Sequence, residues 1–243
     1  MSATRSTMWS SAEILTDEVC PTQAANLAHL VTKFLLLHEL DEADTRTVIA
    51  AARRRRYKRS EAICREGEPG DTLHLIERGH AAVRVTTPGG DTATMRVLGP
   101  GAHFGEMAVL ELMPRSATVV AIDAVETFAL HRDVITELRA QHPSVDQALL
   151  MASLTEVRRL STALTEALYL PVPRRLARNL QRLMDVFDDG VVPLTQDDVA
   201  GLTGTTRQTA NEVLKALDAD GAITLSRGRI TLRDAARLGR AAR

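Results

Sequence analysis

The amino-acid sequence predicts an α+β protein in which a roll of short β-strands is followed by one long helix and then by a winged helix-turn-helix. Three observations support this prediction. Eight of the fourteen glycines lie between residues 67 and 105, where they separate short β-like runs. A heptad repeat follows at 143–169, and two short amphipathic segments joined by a glycine-containing turn follow at 194–217. Because the strands do not alternate with long helices, a doubly wound parallel sheet is not expected.

Composition argues against several classes of protein. The chain has 243 residues, 44% hydrophobic and 25% charged, which is the balance of a globular protein and not of a disordered one. Its strongest apolar run, 34–37, is far shorter than the roughly 18 residues of a membrane span, and no signal-peptide pattern opens the chain. We therefore expect a cytoplasmic protein with no membrane partner. Aromatic residues make up only 3%, which argues against RNA binding by base stacking.

The cysteines and histidines do not indicate a metal site or an enzyme. Cys20 and Cys64 are too few for a disulfide framework, and the seven histidines show no metal-ligand spacing, so no metal is expected. Cys64 is interpreted as a small buried residue, with a redox switch as the alternative. No Ser/His/Asp or Cys/His arrangement has the context of a catalytic site, so we expect a protein that is not an enzyme.

The first domain is predicted at 34–142, after an extension at 1–33 to which no role is assigned. Residues 34–60 are predicted to be helical, with Asp41 as a helix cap. This stretch includes the basic run 53–59, which is interpreted as a solvated connection, with contact to DNA or polymerase as the alternative. Strands are predicted at 72–77, 80–86, 92–98, 116–122 and 125–130. Their regular spacing is typical of an antiparallel barrel or roll.

The long helix is predicted to begin at Pro143 and to end at Tyr169. Its seam residues recur at steps of four and three: Leu150, Leu154, Val157, Ser161, Leu164 and Leu168. A stripe this narrow predicts a dimerisation helix at 143–170 that packs on a second copy of the chain; packing on its own domain is the alternative. The prolines within 171–173 end the helix and predict a hinge to the C-terminal domain, 171–243.

The C-terminal domain has the pattern of a DNA-binding helix-turn-helix. Thr195 and Thr206 are predicted to cap its two helices and to offer hydroxyls and amides to phosphates. Arg207 and Gln208 lie in the first turn of the second helix, where Arg suits guanine and Gln suits adenine, and Asn211 follows one turn later. The runs 222–225 and 229–232 predict a hairpin wing. A structural winged helix that does not bind DNA is the alternative.

A second motif lies between the predicted strands of the first domain. Gly105 allows close approach of the backbone to a ligand, and Glu106 can accept hydrogen bonds from a hydroxyl group. Arg115, nine residues after Glu106, can bind a phosphate with two hydrogen bonds. The pattern indicates a sugar-phosphate site. A salt bridge between Glu106 and Arg115 is the alternative.

Together with a glycine turn at 65–71, these features resemble the cAMP receptor protein/fumarate-nitrate reduction regulator (CRP/FNR) superfamily. The resemblance covers roughly residues 34–240, and it implies a cyclic-nucleotide-binding β-roll, a dimerisation helix and a winged helix-turn-helix. It implies that Glu106 binds the ribose 2′-hydroxyl and that Arg115 binds the cyclic phosphate with help from Ser116. The nucleotide-binding residues carried over in this part of the chain are Gly105, Glu106, Met107, Arg115 and Ser116.

The resemblance also implies that the long helix reads the nucleobase, through Leu160 and Ser161. Two positions depart from the cAMP receptor protein. Leu160 replaces a hydroxyl residue, and Glu156 stands where an Arg is found, which brings a carboxylate near the nucleotide.

The function implied is that of a homodimeric transcription regulator. The expected effector is cAMP, and the expected partners are double-stranded DNA with an inverted repeat and RNA polymerase. A ligand-independent or redox-tuned DNA-binding regulator of the same fold is one alternative. A nucleotide-sensing protein that does not bind DNA is another. An enzyme is not expected, because the winged helix fills the residues after the hinge.

Overall fold

The structure is a computed structural model that describes residues 33–38, 40–111, 113–187 and 189–243. The predicted extension lies outside the described residues except for Lys33, and so does Cys20. The predicted order of β-roll, long helix and winged helix-turn-helix is confirmed. In the part of the chain that the structure describes, no helix combines the length and the apolar character that crossing a membrane requires.

Two antiparallel sheets form the roll. Its elements are α1 (Glu42–Ala51), β1 (Arg53–Tyr57), β2 (Ala62–Cys64), β3 (Thr72–Arg78), β4 (Ala81–Thr86), β5 (Thr92–Leu98), β6 (His103–Phe104), α2 (Glu106–Glu111), β7 (Thr118–Ala121), β8 (Val125–His131) and α3 (Arg132–Gln141). The strand orders are β1-β8-β3-β6 and β2-β7-β4-β5. Buried residues from both sheets, including Ile76, Leu98, Phe104 and Val119, pack together between them. All five predicted strands are found, with ends within two residues of those expected.

The helical prediction for residues 34–60 is correct for α1 and wrong for the basic run. Asp41 caps α1 by accepting a hydrogen bond from the Asp44 amide at 2.7 Å. Residues 53–57 of the basic run instead form β1, an edge strand that pairs with β8. Arg54 and Arg56 there meet carboxylates of β3 and β8 at 2.9 and 3.0 Å. A charged edge strand is a common feature of sheets, but its partner strand lies far along the chain, so the local helical pattern did not reveal it.

The long helix α4 (Pro143–Tyr169) has the extent that the sequence predicts. One face packs on the roll through Val145, Ala148, Leu149 and Ala152. The apolar seam faces away from this chain, with exposed fractions from 41% for Leu154 to 66% for Leu168. The seam therefore does not pack on its own domain.

The C-terminal domain surrounds a separate core. Its elements are α5 (Val172–Val186), β9 (Val191–Val192), α6 (Gln196–Thr203), α7 (Arg207–Ala219), β10 (Ile223–Ser226), β11 (Arg229–Leu232) and α8 (Ala235–Ala241). Leu176, Leu180, Val199, Leu214 and Ile230 are buried in this core. The predicted wing is present as the β10–β11 hairpin, with β9 as a third strand.

The predicted hinge is shorter than expected. The break between α4 and α5 comprises only residues 170–171, and Pro173 lies in the first turn of α5, where a helix needs no amide donor. Arg175 bridges the break. Its guanidinium donates to the carbonyl oxygen of Leu170 at 3.0 Å and to that of Gly204, in the turn between α6 and α7, at 3.2 Å.

Helix α6 docks on strand β5 of the roll. The buried Asp198 carboxylate completes a capping box with Thr195 and also accepts hydrogen bonds from Thr94 Oγ1 at 2.7 Å and from Arg84 at 3.0 Å. A Cβ atom at Gly201 would lie 2.6 Å from the Thr94 amide nitrogen, so glycine allows this close backbone approach.

Candidate functional site

A cavity of about 170 Å³ lies between the roll and helix α4. Residues of β2, β4 to β7, α2, α4 and the loop before β7 form its walls. The lining residues are Cys64, Val83, Met95, Arg96, Leu98, His103, Phe104, Gly105, Glu106, Met107, Ala108, Arg115, Ser116, Ala117, Val119, Glu156, Arg159 and Leu160. The fold thus brings the Gly-Glu and Arg-Ser segments together with the long helix.

Arg115 is the buried cation of this cavity, with 7% of its surface exposed. Its Nη2 donates to the carbonyl oxygen of Thr72 at 2.7 Å, and its Nη1 donates to that of Gly105 at 3.4 Å. Among the described residues no carboxylate pairs with it, so the predicted alternative of a Glu106–Arg115 salt bridge is wrong. A guanidinium has five N–H groups, and these two bonds leave donors available for an anion.

Gly105 is required by the geometry around that arginine. Its φ of 91° lies in the left-handed region, and an added Cβ would lie 2.3 Å from Nη1 of Arg115 and 2.6 Å from the carbonyl oxygen of Thr72. Only glycine lets the backbone pass this close to the guanidinium without strain. Helix α2 begins at the next residue, Glu106, whose side chain is partly exposed at the cavity.

The carboxylate of Glu156 is neutralised on the α4 side of the cavity. Its Oε2 accepts from Arg96 on β5 at 2.7 Å and from Arg159 Nε at 2.9 Å, and its Oε1 accepts from Arg159 Nη2 at 2.7 Å. Burial alone would raise the pKa of Glu156, but the hydrogen bonds and charges of the two arginines outweigh it and hold the pKa below its ordinary value. The cluster carries a net positive charge, which favours an anionic ligand.

Leu160 and Ser161, which were predicted to read the nucleobase, lie in different surroundings. Leu160 lines the cavity, whereas Ser161 lies outside it on the exposed seam, where its carbonyl oxygen accepts from Thr165. Met107 and Ser116 both line the cavity and are exposed. Cys64 lies in the wall, and burial raises the pKa of its thiol, as expected for a packed residue.

The predicted DNA-contacting residues lie at the exposed start of α7 and at the N-terminus of α6. Thr206 caps α7 by accepting a hydrogen bond from the Thr209 amide at 3.2 Å. Arg207 is 69% exposed and lies 3.4 Å from Asp197, which is also exposed. The other polar side chains are already bonded within the motif. Gln208 donates to Glu212 at 3.2 Å, Gln196 donates to Asn211 at 2.9 Å, and Thr195 donates to Asp198 at 2.7 Å.

Sequence reasoning missed two arginines of the cavity, Arg96 and Arg159. Arg159 could have been found, because it lies three residues after Glu156 and thus on the same helical face. Arg96 gave no local signal, since only the fold brings β5 against α4. In the described part of the chain, no group of three or more His, Cys, Asp or Glu side chains is arranged to hold a metal ion.

Comparison with known proteins finds two matching families, one for each of two successive stretches of the chain. Residues 54–142 match the family of cyclic nucleotide-binding domains, and residues 174–241 match that of Crp-like helix-turn-helix domains. The cyclic AMP receptor protein of Thermus thermophilus is 33% identical over 208 residues, covering 84% of this chain and 94% of that protein.

Two further proteins are similar over most of their length. The CRP-like cAMP-activated global transcriptional regulator of Mycobacterium tuberculosis is 29% identical over 194 residues, covering 77% of this chain and 87% of that protein. The crystal structure of a CRP-family transcriptional regulator from Thermus thermophilus is 27% identical, covers 77% of this chain and 96% of that chain, and gives a TM-score of 0.66.

His74 lies beneath the cavity and does not carry a charge at neutral pH. Its ring stacks on Phe104 with centroids 4.9 Å apart, and its Nδ1 lies 3.1 Å from Thr127 Oγ1. Burial lowers the pKa of His74 to about 3, and the cations of Arg115 and Arg55 act in the same direction. The residue before Gly105 is therefore supported by a neutral imidazole.

This histidine should make stability depend on acid pH. Between about pH 6.5 and pH 3 the unfolded chain binds a proton at His74 that the native protein does not bind. As the pH is lowered through this range, the free energy of unfolding should therefore fall by about 1.4 kcal/mol per pH unit because of this group. Urea unfolding of the wild type and of His74→Gln over this range measures the effect. The variant should show a shallower pH dependence, and equal slopes would contradict the assignment.

Proposed function

The chain belongs to the CRP/FNR superfamily of transcription regulators, and we propose that it acts as a homodimer that binds cAMP and an inverted-repeat DNA operator. The observation that carries the proposal is the buried Arg115 beside Gly105, in a cavity closed by the long helix. Its guanidinium would bind the cyclic phosphate with Ser116, and Glu106 would accept from the ribose 2′-hydroxyl. Gly105 and Met107 would add backbone contacts, and Leu160 would pack on the base.

Two observations favour a cyclic mononucleotide as the effector. The family match at 54–142 is to a cyclic nucleotide-binding domain, and two relatives are named for cAMP. The carboxylate of Glu156, which could repel the phosphate, is neutralised by Arg96 and Arg159. This pairing removes the electrostatic objection to a nucleotide that the sequence raised.

Dimerisation is supported by the exposed seam of α4. Its apolar side chains Leu150, Val157, Leu164 and Leu168 are each more than half exposed, although they repeat with coiled-coil spacing. A second α4 helix would remove this surface from water. It would also bring Ser161, a seam residue, from the partner toward the base end of the cavity.

DNA binding is supported by the exposed first turn of α7. Arg207 is exposed, and its pair with Asp197 at 3.4 Å between two accessible side chains is weak enough to be exchanged for a guanine edge. Two such helices in a symmetric dimer would read half-sites about 34–36 Å apart.

The proposed division of labour follows the predicted domains. Residues 34–142 bind the effector, 143–170 dimerise and 171–243 bind DNA. Strand β5 links the first to the last, because Arg96 lines the cavity while Thr94 bonds Asp198 of the helix-turn-helix. We place the protein in the cytoplasm with RNA polymerase as a further partner, as regulation of transcription requires.

Calorimetric titration of nucleotide-stripped protein tests the effector. We expect cAMP to bind with an affinity of about micromolar, and Arg115→Ala to abolish this binding because the phosphate loses its buried cation. Glu106→Gln, which removes charge without changing size, should weaken binding while preserving the fold. Arg65→Ala, an exposed arginine of the glycine turn, is the matched control, and cGMP is the comparison ligand.

The titration distinguishes a regulator that binds a cyclic nucleotide from one that does not. An absence of heat or competition at millimolar cAMP and cGMP in folded wild-type protein would contradict the proposal and favour a ligand-independent or redox-tuned regulator. Circular dichroism of Arg115→Ala distinguishes loss of the ligand contact from loss of structure.

Sedimentation velocity tests the seam. Leu164→Glu should convert a wild-type dimer to a monomer at micromolar concentration, because two buried carboxylates would meet across the two-fold axis. Thr155→Glu lies on the same helix outside the seam and should remain dimeric. A wild-type protein that is monomeric and still binds DNA with full affinity would refute the dimer.

In vitro selection of DNA, followed by gel shifts at fixed salt, tests DNA recognition by the helix-turn-helix. The selected sites should contain an inverted repeat, and Arg207→Ala should lose about 1–3 kcal/mol of affinity together with discrimination at one base pair. Lys215→Ala removes the same charge from the same helix and should not change sequence preference. Unaltered binding by Arg207→Ala would contradict the role proposed for Arg207, and failure of the wild-type protein to select or shift any DNA would favour a nucleotide-sensing role without DNA.

A further inference from the structure

His80 touches both domains at the end of helix α5. It precedes β4, and its side chain is 18% exposed. Its Nδ1 lies 2.6 Å from Oδ2 of Asp123, in the turn between β7 and β8, and its Nε2 lies 3.1 Å from the carbonyl oxygen of Val186. The ring also packs on Phe187, with centroids 4.2 Å apart and an angle of 31° between the planes. One imidazole thus joins the sensor roll to the last turn of α5.

Both ring nitrogens face groups that accept hydrogen bonds. A backbone carbonyl has no proton to give, and the Asp123 carboxyl is ionised. Burial raises its pKa, but the hydrogen bonds from the ring and the backbone amide of His80 outweigh this and hold the pKa below its ordinary value. A neutral imidazole has one N–H, so its other, unprotonated nitrogen would place a lone pair against one of these oxygens. An imidazolium donates a hydrogen bond to both.

The surroundings add to the preference for the charged ring. The carbonyl of Val186 belongs to the C-terminal turn of α5, where the helix dipole favours a cation, and an aromatic face such as that of Phe187 does the same. Asp185 on α5 and Arg96 on β5 line the neighbouring cavity with opposite charges. Arg78, two residues earlier, is exposed to solvent.

We propose that protonated His80 is a positioning residue that fastens the DNA-binding domain to the sensor roll, and that loss of its proton loosens this contact. The docked arrangement gains stability below the ordinary titration range of histidine, near pH 6.5, and loses it as the pH rises through the titration of the docked ring. Because the contact is intrachain, the proposal does not depend on the identity of the effector.

Hydrogen exchange of the full-length protein, followed by mass spectrometry, tests this directly. The peptides to follow cover 183–187 at the end of α5 and 94–98 in β5, with rates corrected for the intrinsic effect of pH. From about pH 6 to about pH 8 we expect protection in both to fall about ten-fold in the wild type, the scale of one charge-assisted hydrogen bond. His80→Gln should show low protection at both pH values.

Two variants separate this role from a general loss of structure. His142→Gln breaks another histidine–aspartate pair, that of His142 with Asp44 inside the sensor domain, and should keep the wild-type pH response. Asp123→Asn should move the transition to lower pH, because the ring loses its anionic partner. Equal wild-type protection at both pH values, or a wild-type pH response in folded His80→Gln, would overturn the proposal.

Discussion

The buried carboxylate of Asp198 is the interaction on which the relative placement of the two domains depends. Its Oδ2 accepts hydrogen bonds from Thr195 in the capping box of the first helix of the helix-turn-helix, and its Oδ1 accepts from Thr94 and Arg84 of the roll. These bonds and Arg84 hold the pKa of Asp198 below its ordinary value although burial opposes this. A carboxylate so placed is stable only while all of its donors are present, because an unpaired buried charge is costly. Loss of one donor should therefore destabilise both the start of α6 and the contact between the two domains.

Strand β5 connects this carboxylate to the cavity. A bulge in the pairing of β5 with β4 places Thr94 opposite Arg84 and Arg96 opposite Val83, so the side chains of Thr94 and Arg96 lie on opposite faces of the sheet. Thr94 meets the C-terminal domain, and Arg96 meets Glu156 of the long helix at the cavity wall. A ligand that changes the partners of Arg96 therefore acts on a strand that already contacts the C-terminal domain. Differential affinity for two arrangements is what any effector needs in order to shift them.

The cavity also explains why two departures from the family pattern are compatible with its chemistry. Glu156 in place of an arginine removes a cation, but the fold supplies Arg96 from the sheet and Arg159 from the next turn. Positive charge near the cavity is thus maintained by different residues. Leu160 keeps the wall apolar where a base would pack.

The sequence by itself determined the order of the domains, the five central strands, the full length of α4, and the caps Thr195 and Thr206, because these depend on local periodicity, glycine placement and side-chain capping. It identified the segments around Glu106 and Arg115 because their spacing is short. Tertiary structure alone decided that the basic run forms an edge strand, that Leu160 rather than Ser161 lines the cavity of its own chain, and that Arg96, Asp198 and His80 join distant elements. Such contacts depend on which strand and helix faces meet across the fold, and single-sequence patterns carry no information on that long-range pairing.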